Sequence, residues 1–142
     1  MYKTILVAVD ESHCSHRALV EAIDLAEALH APLEVVHIVD SGFEDADVRA
    51  GLVQAGRHLL SEARAKAEAR KISCQMILFD DIHALGDTAN QICQVAENCH
   101  ADVMVIGTHG RRGMQRLLMG SVAQRVVRES SIPVLLVKSR ES

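Results

Sequence analysis

Three glycines and a serine in the last third of the chain have the types and spacing needed to hold an anion. Gly107 and Gly110 follow an apolar run, and Gly120-Ser121 comes nine residues later, where a helical pattern begins. Glycines at a strand end let the backbone turn sharply and approach a ligand with no Cβ in the way. The first N–H groups of a helix lack internal partners, and the helix dipole favours negative charge there. The sequence therefore predicts a phosphate chain held between the two parts of this glycine loop, residues 107–121.

Each polar side chain within the loop can be interpreted as a phosphate contact or as an ordinary structural residue. Arg111, Arg112 and Arg116 would strengthen the local field for a phosphate although the net charge of the chain is -4. A solvated loop face explains the same arginines, and we take Arg111 as the candidate phosphate contact. Ser121 and Gln124 have the spacing of a capping box, which predicts Ser121 as the helix cap, a role compatible with phosphate contact.

The elements that position this loop alternate between two kinds of pattern. Each short apolar run is followed by a longer segment in which apolar residues recur at three- and four-residue steps. Such strands are usually buried on both faces, so the alternation predicts a doubly wound α/β domain with a parallel sheet. Ligands bind such sheets at the carboxyl ends of the strands, here at Asp10, around Ile38 to Asp40 and just after Ile106. The predicted strands cover residues 5–9, 33–39, 72–79, 103–106 and 134–137.

Length and composition narrow the class of protein. A chain of 142 residues fits one domain, which we assign to residues 1–142. A net charge of -4 and 2% aromatic residues favour neither nucleic acid nor a membrane surface as partner. The first apolar run is short and ends at Asp10, which is unlike a signal peptide or a membrane span. Four cysteines without a C-x-x-C pair indicate reduced thiols, so we expect a cytoplasmic protein.

The spacing Gly107-x2-Gly110-x9-Gly120-Ser121 resembles the nucleotide motif of the ATP-binding branch of the universal stress protein family. Residues 5–10, 86–92 with 101–102, and 132–137 also resemble that family, so the likeness covers almost the whole chain. It implies a three-layer, Rossmann-like domain of the adenine nucleotide alpha hydrolase-like type. The five-stranded parallel sheet would have the strand order 3-2-1-4-5.

The resemblance also implies roles for individual residues. Asp10, at the end of the first strand, would lie beside the nucleoside, and the main chain of Ile38 would meet the adenine. The residues alone allow a helix-capping carboxylate at Asp10 and ordinary core packing at Ile38. The phosphate and ribose contacts would come from Gly107, Gly110, Gly120 and Ser121.

The ligand that the family implies is ATP, with Mg²⁺ on its phosphates. A homodimer formed through the last strand, Val134 to Val137, is also implied, together with a regulatory role in the stress response through unidentified protein partners. Glu11 stands where the family often has glycine, and it adds a negative charge near the expected phosphates. Residues 79–85 form an enlarged connection relative to the family pattern.

The sequence leaves open two alternatives to a nucleotide-binding module, an enzyme and a scaffold. A slow ATPase or self-phosphorylating protein would use Ser121, His109 or Thr108, but no residue is clearly placed as a base. A nucleotide-free scaffold would require the glycine loop to be vestigial. The sequence lacks a Walker A lysine and a Gly-x-Gly-x-x-Gly pattern after the first strand.

The segment from His13 to His16 allows two further readings. It resembles the His-x-Gly-His element of adenylyl-transferring enzymes, but Ser15 replaces the glycine. His13, Cys14 and His16 also have side chains that suit zinc, but a fourth ligand with sensible spacing is missing. We assign no catalytic and no metal-binding residues.

Overall fold

The computed structural model describes residues 2–39, 45–81, 87–109 and 119–139. Five strands alternate with four helices along these ranges. The strands are β1 (Ile5–Ala8), β2 (Leu33–Ile38), β3 (Cys74–Phe79), β4 (Val103–Gly107) and β5 (Val134–Val137). The helices are α1 (His13–Leu29), α2 (Ala46–Ala69), α3 (Thr88–Asn98) and α4 (Ser121–Glu129).

The strands form one parallel sheet in the order β3-β2-β1-β4-β5, which confirms the expected topology. β3 is shorter than predicted, because it begins at Cys74 rather than Ile72. Lys71 has a left-handed φ of 59°, and the N–H of Ile72 donates to the carbonyl of Ala67. The backbone of Ile72 therefore closes the end of α2 instead of joining the sheet.

The two faces of the sheet carry separate hydrophobic cores. Alternate residues of each strand point to opposite faces, so Val7 and Val35 belong to one core and Leu6 and Val36 to the other. Helices α1 and α2 cover the first core, and α3 and α4 cover the second. These three layers confirm the doubly wound architecture.

The helices start and end at residues that satisfy their free backbone groups. Asp87 is the N-cap of α3 and accepts a hydrogen bond from the N–H of Asn90. Asp87 also forms an ion pair with Arg125 of α4. The Nη2 of Arg125 lies 2.8 Å from Oε1 of Glu129 in the same helix. In the described ranges, no helix combines the length and apolarity that crossing a bilayer requires.

All four cysteines are free thiols, buried at Cys14 and half-buried at the other three positions. Burial raises the pKa of the Cys74, Cys93 and Cys99 thiols above its ordinary value, because a thiolate is poorly solvated there. These three thiols are therefore protonated at neutral pH.

The direction of winding reverses between β1 and β4, which are neighbours in the sheet. Crossovers from β1 run towards β2 and β3, and those that follow β4 run towards β5. In sheets of this kind, ligands bind at the carboxyl ends of the strands where the winding reverses, which here are the ends of β1 and β4. Asp10 and the first residues of the glycine loop lie at this edge.

Candidate functional site

The start of α4 lies directly against the end of β4. The N–H of Gly120 donates a 2.6 Å hydrogen bond to the carbonyl of Thr108, although eleven residues of chain separate them. The hydroxyl of Ser12, at the start of α1, is 3.4 Å from the carbonyl of His109. Two helix N-termini therefore converge on the end of a central strand, an arrangement that favours an anion.

The N-terminus of α4 differs from the expected capping box. Gly120 is the N-cap in an extended conformation, without a side-chain capping bond, and Ser121 is the first helical residue and exposed. The side chain of Gln124 donates instead to the carbonyl of Met119 at 3.2 Å. The prediction that Ser121 caps the helix was wrong. Among the described residues no side chain caps α4, so none of them competes with a ligand for its first N–H groups.

The N-terminus of α1 is capped by Ser12, whose hydroxyl accepts a hydrogen bond from the N–H of Ser15 at 3.1 Å. Asp10 is half-buried two residues before this cap. Its Oδ1 accepts from the N–H of Ser12 at 2.8 Å, and its own N–H donates to the buried hydroxyl of Ser15 at 2.7 Å. Asp10 therefore stabilises the turn after β1 and is not the cap of the helix. These two bonds fix the carboxyl group and the backbone of Asp10 beyond the carboxyl end of β1.

Gly107, the last residue of β4, lies against the first turn of α1. A Cβ at this position would stand 2.6 Å from the Cβ of Cys14 and 2.9 Å from its carbonyl carbon. Such distances are too short for any side chain, so the packing of α1 alone requires a glycine here. The sequence suggested close approach of a ligand, and the structure shows a helix in close contact.

Ile38, the last residue of β2, has a buried side chain in the core beneath α3 and α4. Hydrogen bonds along β2 alternate between its two neighbours: the carbonyl of Val36 accepts from Val9, and the N–H of Val39 donates to Phe79. By this alternation the N–H and carbonyl of Ile38 point to the β1 side, where pairing ends at Ala8. No backbone hydrogen bond within the described ranges occupies them there. Core packing of the side chain and an open main chain thus coexist at Ile38.

His37 lies next to this open edge and was not among the candidate residues. Its Nδ1 is 2.8 Å from the carbonyl oxygen of Val9, directly before Asp10. The sequence signal was a polar residue, one of two together with Glu34, inside a mostly apolar strand. The mid-helix Gly56 was a second signal, because its position faces the imidazole ring.

Several candidate residues lie outside the described residues, namely Gly110, Arg111, Arg112 and Arg116. Most of the connection over residues 79–85 lies outside them as well. Glu11 is exposed in the β1–α1 connection.

The alternative readings of the His13 to His16 segment gain no geometric support. His13 is exposed, whereas Cys14 is buried against β4 with its Sγ 3.9 Å from Thr108 Oγ1. Within the ranges that the structure describes, no three His, Cys, Asp or Glu residues are grouped to hold a metal ion.

Thr108 is 3% exposed, and its hydroxyl is 3.2 Å from His109 Nδ1, so it is poorly placed as a nucleophile.

Comparison with known proteins gives this geometry its context. The model of the universal stress protein family matches residues 1–138. The chain belongs to the universal stress protein family. Universal stress protein MJ0531 of Methanocaldococcus jannaschii is 32% identical over 146 residues, covering 97% of this chain and 83% of its own length.

Two solved universal stress proteins resemble this family member throughout. One, from Archaeoglobus fulgidus in complex with dAMP, has a TM-score of 0.75 and 25% identity, covering 96% of this chain and 98% of its own. A second, in complex with cAMP, has a TM-score of 0.72 and 27% identity, covering 97% of this chain and 98% of its own. Both similar proteins bind adenine nucleotides.

Proposed function

We propose that this universal stress protein binds an adenine nucleotide, ATP, with Mg²⁺ on the phosphates. The observation that carries the proposal is the convergence of the α1 and α4 N-termini on the end of β4, where the winding of the sheet reverses. The dAMP and cAMP complexes of similar proteins support the adenine nucleotide class. The phosphates would lie between the two helix starts, contacted by Gly107, Gly110, Arg111, Gly120 and Ser121.

The proposed base site uses the main chain at the end of β2. The N–H and carbonyl of Ile38 point in the same direction, and adenine offers a matching pair in its N1 acceptor and its N6 amino donor. Guanine presents a donor and an acceptor in the opposite places, so both of its groups would face a like group. Asp10, whose carboxyl group is held at the same edge, would contact the nucleoside.

We further propose that the nucleotide is held rather than consumed. The buried hydroxyl of Thr108 removes one of the three side chains considered for phosphoryl transfer. The protein would act as a cytoplasmic regulatory module in the stress response, through protein partners that respond to its nucleotide state. Four free thiols support a reducing compartment.

Nucleotide recovery from the purified protein tests the proposal. We expect denatured protein to release ATP, identified by chromatography and mass spectrometry. Mg·ATP should also raise the melting temperature of nucleotide-free protein, because a ligand at a hundred times its Kd stabilises the native state by about 2.7 kcal/mol.

Mg·GTP is the matched control, since it carries the same phosphates without the adenine edge. It should raise the melting temperature much less than Mg·ATP. Recovery of ADP or AMP alone would favour hydrolysis. The absence of both released nucleotide and thermal stabilisation would refute the proposed function.

We also propose a homodimer formed through β5, an edge strand that has no pairing strand on one side among the described residues. Leu135 is 42% exposed there, and edge strands with apolar side chains favour pairing with a second copy. Leu135→Lys should turn the dimer into a monomer in sedimentation experiments. Val20→Lys, at an equally exposed apolar site on α1, should leave the dimer intact. A monomeric wild-type protein would contradict this proposal.

A further inference from the structure

The side chain of His37 makes a hydrogen bond that the backbone would make in a regular parallel sheet. The carbonyl of Val9 only accepts hydrogen bonds, so the Nδ1 of His37, 2.8 Å away, carries the proton and donates. One step earlier, the N–H of Val9 donates to the carbonyl of Val36. The next bond of a parallel ladder would run from the N–H of Ile38 to the carbonyl of Val9. The imidazole takes the place of that bond.

Helix α2 fixes the imidazole in this position. A Cβ at Gly56 would stand 2.7 Å from Cδ2 of His37 and 2.9 Å from Cδ1 of Leu78. Gly56 is buried in the middle of a 24-residue helix, where glycine is unfavourable relative to alanine. The ring therefore has room only because this position lacks a side chain.

We propose that His37 is a positioning residue that keeps the β1–β2 ladder from closing and so keeps the main chain of Ile38 open to adenine. This inference rests on the proposed nucleotide function, and it assigns His37 no direct contact with the ligand. The same hydrogen bond fixes the carbonyl of Val9, and thereby the backbone from which Asp10 starts. His37 thus links the adenine edge to the candidate nucleoside contact.

Replacing His37 with leucine tests the proposal. In nucleotide-free protein the Ile38 N–H should then pair with the carbonyl of Val9, so its hydrogen exchange should become slower. Affinity for ATP should fall about tenfold, the effect of one lost neutral hydrogen bond. His37→Asn should restore both properties, because the asparagine amide nitrogen is as many bonds from Cα as Nδ1 is. A purely structural loss would make exchange at Ile38 faster.

Gly56→Ala provides a second test from outside the site. In the wild-type background the new methyl group displaces the ring, so ATP affinity should fall as it does in His37→Leu. In a His37→Ala background the same change should leave affinity unaltered and raise stability, because the ring is gone, the flexible end of the Leu78 side chain can move away from the new methyl group, and alanine favours the helix.

The outcomes separate this inference from the proposed function. If His37→Leu binds ATP like the wild type and exchange at Ile38 is unchanged, the positioning role is overturned while nucleotide binding stands. If the wild-type protein binds no nucleotide, the proposed function fails. Exchange at Ile38 in His37→Leu would then still decide whether the imidazole holds the ladder open.

Discussion

Replacing Gly107 with alanine is expected to lower the free energy of unfolding by about 2–3 kcal/mol. The added Cβ would stand 2.6 Å from the Cβ of Cys14, 2.9 Å from its carbonyl carbon and 3.1 Å from its carbonyl oxygen. Two of these atoms belong to the backbone, so no change of rotamer relieves the contact. The first turn of α1 must move away from β4, and the turn that holds Asp10 moves with it. Urea unfolding of the two proteins measures the difference.

Two controls separate this contact from the general cost of changing a glycine. Gly51 is exposed in α2 with no atom within 4 Å of an added Cβ, so Gly51→Ala should stabilise the protein by about 1 kcal/mol. Cys14→Ala should not rescue Gly107→Ala, because alanine keeps the Cβ and the main chain. Equal stability of Gly107→Ala and the wild type would contradict the contact between α1 and β4.

The alternation of strands and helices and the doubly wound class were accessible from the sequence, because two periodicities alternate along it. The run from Ile5 to Val9 is continuously apolar, and in the structure Ile5, Leu6 and Val7 are completely buried between the two helical layers. A strand buried on both faces has this signature regardless of its neighbours. The order 3-2-1-4-5 came from the family resemblance, since periodicity does not state which strands lie side by side.

The local roles at the site were less accessible, because they depend on contacts between residues far apart in the chain. Gly107 was read as a close approach to a ligand, but its neighbour is Cys14, 93 positions earlier. Ser121 was read as a cap because serine is a common N-cap, yet Gly120 takes that position when its N–H pairs with Thr108. The main-chain contact expected at Ile38 depends on the family resemblance and stays a prediction.

Gly120, at the start of α4, has opposite consequences for the stability of the helix and for the proposed binding of phosphate. An N-cap residue with a side-chain oxygen would satisfy a free N–H group of the helix, so Gly120 leaves α4 less stable than it could be. Its φ of -71° and ψ of 164° are open to any residue, so backbone conformation does not demand a glycine. A phosphate that binds these N–H groups would explain why no side chain occupies them.

Gly120→Asp should therefore act in opposite directions on stability and on nucleotide affinity. The aspartate caps α4 and interacts favourably with the helix dipole, which should stabilise the nucleotide-free protein by about 0.5 kcal/mol. The same carboxylate occupies the N–H groups proposed for the phosphates and repels them. Affinity for Mg·ATP should fall about a hundredfold, equivalent to about 2.7 kcal/mol of binding free energy. Calorimetric titration and thermal unfolding measure the two effects on one variant.

Gly120→Asn is the matched control, because asparagine caps a helix about as well as aspartate without adding a charge. Its stability should resemble that of Gly120→Asp, and its ATP affinity should lie between that of the aspartate variant and the wild type. The difference between the two variants should shrink as ionic strength rises, because repulsion between exposed charges is screened by salt. Wild-type affinity in Gly120→Asp would place the phosphates away from α4, whereas equal losses in both variants would indicate a steric effect of the side chain.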